Sequence, residues 1–228
     1  MKRSHVNDIL ADGAAFFAQH GWTLPPFAGW RPDEMRSDTA ALIRDRRLGW
    51  DITDYGQGRF DEMGLFLFTL RNGDLGEMGQ QGAMLYAEKL MISRQDQLSP
   101  MHRHVLKTED IINRGGATLV LELFTCDDAG QIDRAADVHV RTDGVPVTLP
   151  AGGHLKLPVG ASVTLTPTTW HAFWGEGGDC LIHEVSTVND DLTDNIFAEP
   201  IGRFPTSKKT WPRRICWSAT TTPDVPFS

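Results

Sequence analysis

The residues best suited to chemistry lie in one stretch, 100–116, which reads PMHRHVLKTEDIINRGG. His102 and His104 are two positions apart. On an extended strand they share one face, so both imidazoles point the same way. Glu109 has an odd offset from them and would face away on an unbroken strand. A turn or bulge near Lys107 is expected to bring it back. Two imidazoles and a carboxylate converging on one point suit a divalent transition metal. His171, in TTWHAFW, is the expected fourth ligand. A His-x-His pair alone is more often a polar strand face than a metal site. Glu109, the glycine pair after it and the turn-then-histidine segment 160–171 strengthen the metal reading.

A metal bound in this way would leave coordination positions open to a substrate, and proton chemistry beside it would need a base. Glu88 and Lys89 are neighbours on one expected strand, so only one of them faces inward. Lys89 is preferred, because its long side chain can reach a substrate oxygen and stabilise developing negative charge. His183 and Glu184 pose the same choice on another strand. His183 reads as a satisfied core or surface histidine. Asp190, Asp191 and Asp194 read mainly as loop carboxylates that solvate and turn the chain. Glu199 precedes Pro200 in a segment able to fold back over a barrel mouth. Lys89, Asp190 and Glu199 are therefore the catalytic candidates, with Glu109 itself as a further possible base. Phe173, Trp174 and Arg203 are the substrate-binding candidates, although core packing for the aromatics and an ion pair for the arginine are the blander readings.

These side chains need a scaffold. Val6, Ile9, Leu10, Gly13, Ala14 and Phe17 recur at helical spacing, with Ser4 placed to cap the start and His20-Gly21 to end it. Pro32 is expected to open a second helix that runs through Met35, Leu42 and Ile43 to about Leu48-Gly49. After Trp50 the period changes. The stretch 51–60 reads as a glycine-punctuated connection. Strands are expected at 65–70, 84–92, 117–125, 138–142, 145–149, 154–157, 162–166 and 180–188. Asp143-Gly144 between two short runs is the strongest hairpin signal. Many short strands separated by turns predict a mainly β sandwich or barrel. Residues 189–195 read as a polar loop, and 211–228 has no convincing period.

The chain has 228 residues and a formal net charge of −8. It can bury one sizeable core, and it lacks the basic footprint of a nucleic-acid binder. Its longest apolar run, near 64–70, is too short to span a bilayer. The N-terminus has no apolar signal core, and three scattered cysteines suit a reducing compartment, so the cytoplasm is expected.

The segments His102-x-His104 with Glu109, and Gly160 to Pro167 to His171, resemble the two cupin motifs. The resemblance sharpens with WDITDYGQGRFDEMGLFLFTLRNG, YAEKLM, SPMHRHVLKTEDIINRGG, HAFW and VNDDLTDN. Together these strings are similar to the D-lyxose isomerase family, from the first helix to about Phe204. That resemblance implies a cupin jelly-roll barrel in one domain: a helical cap over 1–50, a barrel core and lid over 51–204, and a tail over 205–228. It implies a metal held by His102, His104, Glu109 and His171, manganese first, with iron, cobalt, nickel or zinc also allowed by the donor set. It further implies interconversion of D-lyxose and D-xylulose, with D-mannose and D-fructose as a second pair, and a homodimer. A cupin dioxygenase with iron in the same ligand set, and a sugar-binding protein without turnover, are the alternatives.

Overall fold

In the computed structural model, which describes residues 1–201, the expected first helix forms as α1 (Arg3–Gln19). Its stripe Val6, Ile9, Leu10, Gly13 and Phe17 is buried. The stripe packs on Trp50, Ile52, Phe66, Phe68, Leu90 and Ile92, which form the outward face of three strands. Phe17 is 1% exposed, and burial of such a side chain contributes about 2 kcal/mol. Gly13 permits the close approach, because a Cβ there would overlap the Phe66 ring. The helix starts earlier than expected. Lys2 stands at the cap with no side-chain bond, and Ser4 lies inside the first turn.

The expected second helix is broken. It consists of α2 (Pro32–Met35), a 3-10 turn (Asp38–Ala40) and α3 (Ala41–Asp45). The break falls at Ser37, whose backbone is extended and whose hydroxyl donates to the Glu34 carbonyl. Arg44 takes the Met35 and Ser37 carbonyls. Such local side-chain bonds compete with the helical ladder, and too few apolar residues lie here to favour a long helix by burial.

The remainder is an antiparallel sheet system. Its strands are β1 (Gly49–Thr53), β2 (Leu65–Asn72), β3 (Tyr86–Ser93), β4 (Ser99–His104), β5 (Glu109–Cys126), β6 (Ile132–Asp133), β7 (Val138–Thr142), β8 (Val145–Leu149), β9 (Gly153–Leu157), β10 (Ser162–Leu165), β11 (Thr169–Thr187) and β12 (Asn195–Phe197). The main path runs β1-β2-β3-β11-β5-β10-β7-β8. Strand β4 lies between β11 and β12, and β6 and β9 add to β5. This is a cupin-like fold, mainly β, with an N-terminal helix on its outer face.

Strand β2 explains its own sequence. Leu65 and Leu67 face the barrel interior, whereas Phe66 and Phe68 face α1. A strand covered on both sides reads as a continuous apolar run. The expected hairpin also forms, with Thr142 paired to Val145. Asp143 and Gly144 have φ of +51° and +83°, as a two-residue primed turn requires.

Two expected strands are halves of longer ones. Strand β5 begins at Glu109, and β11 begins at Thr169. The glycines just before the expected strands, Gly115-Gly116 and Gly177-Gly178, lie inside these longer strands at a bulge. The β11/β5 register shifts between Glu176 and Cys180, with Cys180 opposite Gly116. Gly116 has φ +82°, and a Cβ there would overlap the Asp179 carbonyl oxygen. We expect Gly116→Ala to lower stability by about 2 kcal/mol or more, through left-handed strain plus the clash. The shift of the urea midpoint measures this. β1 and β12 fall at stretches that the sequence suggests as connection or loop, because their burial comes from neighbours distant in the chain, whereas β4 is the extended strand expected of His102 and His104.

Candidate metal centre

Strand pairing brings the histidines together. On β4, His102 lies opposite His171 of β11. One ring nitrogen from each of His102, His104 and His171 lies within 4.8 Å of the other two, an arrangement that could hold a metal ion. His104 and His171 are 5% and 1% exposed. Glu109 arrives by the turn after His104, at the start of β5 rather than on the same strand. Its Oε1 lies 3.3 Å from His104 Nε2 and 3.2 Å from His171 Nε2.

The imidazoles are oriented from behind. His102 Nδ1 lies 2.8 Å from the Pro100 carbonyl oxygen, and His171 Nδ1 lies 3.2 Å from that of Thr169. A proton on Nδ1 then leaves an Nε2 lone pair aimed inward, the usual arrangement behind a metal-binding histidine. His104 Nε2 and His171 Nε2 are buried without a hydrogen-bond partner among the described residues. Buried polar atoms seldom remain unsatisfied, so this donor set fits a divalent metal.

Next to the imidazoles is a buried chain of alternating charges. Lys107 Nζ lies 2.7 Å from Glu109 Oε2 and 3.0 Å from Glu184 Oε1. Lys89 Nζ lies 3.2 Å from Glu184 Oε1 and donates to Asn189 Oδ1 at 2.6 Å. Lys89 and Glu184 are direct cross-strand neighbours of β3 and β11. Their sequence neighbours Glu88 and His183 pair with each other at 2.9 Å, and His183 packs beside Trp22, so inward and outward positions alternate as expected.

Charge and burial set the protonation states. Burial pushes the Glu109 carboxyl up, but Lys107 and His104 outweigh it and hold it well below the usual range. Burial opposes ionisation of Glu184 as well, and Lys107 and Lys89 reverse it. Burial would lower Lys107, but Glu109 and Glu184 raise it above an ordinary lysine. Burial, then His171 and His104, lowers His102 well below the usual histidine range, and burial with Lys107 lowers His104. Neutral imidazoles beside ionised carboxylates are the state that metal ligation requires.

These groups line a cleft of about 440 Å³, counting its open mouth. Its apolar wall includes Leu65, Leu67, Met91, Phe173 and Phe197. Tyr55 joins them with φ +52°, its hydroxyl 3.0 Å from Ser99 Oγ. Of the sequence candidates, Lys89 and Phe173 line the cleft. Asp190 does not. Its carboxylate meets Arg47 at 3.1 Å, the Thr193 hydroxyl and the Leu192 amide. The acid on this loop that reaches the cleft is its neighbour Asp191. Glu199 is exposed and absent from the cleft lining. Trp174 lies on the other face of β11, edge-on to His154 at 5.2 Å. Arg203 and the tail lie outside the described residues.

In the sequence, Lys107 marks only a turn and Asp194 only a loop acid. Lys107 carried a signal, since it lies within the ligand segment itself. Asp194 carried none, because its partners lie about ninety positions earlier in the chain.

A cupin-like barrel with three converging imidazoles at its cleft defines a candidate metal-dependent member of that fold. The D-lyxose isomerase family model matches residues 1–215. The D-lyxose/D-mannose isomerase of Escherichia coli O157:H7 is 46% identical over 209 residues, covering 90% of this chain and 91% of that protein. The enzyme of the same name from Serratia proteamaculans is 46% identical, with 90% of each chain covered. The chain belongs to the D-lyxose isomerase family. The L-ribose isomerase of Cellulomonas parahominis shares the fold, with a TM-score of 0.59 at 16% identity over 88% of this chain and 93% of that one. The L-ribose isomerase of Acinetobacter sp. DL28 does so as well, with a TM-score of 0.59 at 15% identity over the same shares.

Proposed function

We propose that this protein is a metal-dependent aldose–ketose isomerase that interconverts D-lyxose and D-xylulose, and D-mannose and D-fructose. One observation carries the reading: three inward imidazoles and a buried Lys–Glu chain share one cleft in a chain of this family. His102, His104, Glu109 and His171 would hold the metal, manganese first. When bound, the metal supplies Lewis acidity that polarises the sugar carbonyl.

The protein's own groups move the protons. Glu184 takes the proton from C2 and returns it to C1, passing through an enediol. The hydroxyl proton moves from O2 to O1 in the same turnover, so atoms and charge balance. Lys89 and Lys107 donate hydrogen bonds to the sugar oxygens as charge develops on them. The apolar wall at Phe173 excludes water from the reacting carbons. D-lyxose and D-mannose share configuration at C2 and C3, so one arrangement of groups serves both.

The test is ketose formation from each aldose, with and without chelator. Activity lost to chelator and restored by manganese supports the reading. A manganese-loaded protein that leaves both aldoses unchanged overturns it. In heavy water, deuterium in the product supports the enediol route, and its absence points to a hydride shift. Our reading also includes a cytoplasmic homodimer. Sedimentation of the full chain as a monomer overturns the dimer. Among the described residues no helix is long and apolar enough to cross a membrane.

A further inference from the structure

We infer that Asp194 is a positioning residue that sets both metal affinity and the placement of Lys107. The inference rests on the proposed metal site. Asp194 is 7% exposed. Its Oδ1 accepts the Val105 and Leu106 amides at 3.0 and 2.6 Å, and its Oδ2 accepts the Lys107 amide at 3.2 Å. Its backbone carbonyl accepts the Val105 amide as well, at 2.9 Å. One side chain therefore holds three successive amides of the turn between His104 and Glu109, and Thr187 holds Thr108. That turn brings Glu109 back to the histidines and places the Lys107 ammonium between two carboxylates.

The same Oδ2 lies 3.5 Å from His104 Nδ1, which is buried and has no hydrogen bond. His102 and His171 each have a backbone carbonyl behind the ring, whereas His104 has this carboxylate. A neutral imidazole carries one proton. With Nε2 serving as a ligand, that proton stands on Nδ1 and faces Asp194. Asp194 thus favours the tautomer that binds metal and fixes the ring's direction. Loss of such a partner typically weakens metal binding about 10–100-fold.

The experiment follows free Mn2+ by electron paramagnetic resonance during titration of chelator-stripped protein. Asp194→Asn keeps an acceptor for the turn but loses the anionic oxygen behind His104. Asp194→Ser keeps a short acceptor only. Both variants are expected to bind Mn2+ about 10–100-fold more weakly than the parent, with native circular dichroism. Asp133→Asn, which alters a turn-capping carboxylate bonded to Ala135 and Ala136, is expected to bind as the parent does. In a His104→Gln background, Asp194→Asn is expected to cost little more. Parent-like binding by both variants, or a full loss repeated in the His104→Gln background, overturns the inference. So does loss of native structure in both, which would make Asp194 purely a fold residue. A parent that binds no Mn2+ overturns the metal reading itself, and that outcome differs from all of these.

Discussion

Glu184→Gln is expected to lower kcat on D-lyxose by about 10²–10⁴-fold, the usual worth of a positioned proton acceptor. Glutamine has nearly the same shape, so the cleft keeps its packing, but an amide cannot accept a proton from carbon. The choice of Glu184 over Glu109 follows from their neighbours. Glu109 Oε1 lies among the imidazole nitrogens and its Oε2 is held by Lys107. Glu184 contacts two ammonium groups, Lys89 and Lys107, and faces the cleft. Those cations hold it ionised against burial, the form from which a base must start. Mn2+ affinity separates a base from a structural acid. It should stay within a few-fold of the parent while turnover collapses. Residual kcat within tenfold of the parent would remove Glu184 from the mechanism and return attention to Glu109.

The histidine–carboxylate half of the candidate site was more legible in the sequence than the lysine–glutamate half. His102 and His104 share a strand face by period alone, and the turn residues between His104 and Glu109 gave a reason for the carboxylate to return. Lys89 and Glu184 become neighbours only when β3 pairs with β11, a register set by packing across about ninety residues. Local pattern carries no such information, and strand parity says only that one residue of each neighbouring pair faces inward. Asp190 lies on a loop tied down by reciprocal bonds between Asn72 and Asn189, and Glu199 lies beyond β12. Both acids fall outside the cleft, whereas Asp191 lines it and Asp194 turns to the 105–107 amides and His104. The strands were legible where one face is apolar or a turn is marked. They were missed where a short edge segment such as β12 gains its burial from a distant partner, and where glycines signal a bulge rather than an end.

Lys107→Met should be the most destabilising single change near the cleft. Methionine fills similar space but leaves Glu109 and Glu184 buried with one cation fewer. Both carboxylates are about 3–4% exposed at the side chain. Removal of one member of a buried charge cluster costs about 3–5 kcal/mol at neutral pH. For a domain of this size that is on the order of 10 °C in Tm. The sign of the pH dependence follows from the shifts. In the parent, Glu109 and Glu184 titrate below their unfolded values. Their contribution is present above the unfolded pKa and is lost as pH falls through the folded values. Without Lys107 the balance tips toward burial, so both carboxyls rise and the variant recovers as they protonate. The gap between parent and variant therefore widens from about pH 4 to 7. Urea unfolding of chelator-stripped protein at several pH values measures it. Bound Mn2+ should narrow the gap, because it restores positive charge beside Glu109. A gap that stays constant with pH would show that Lys107 contributes packing and not charge.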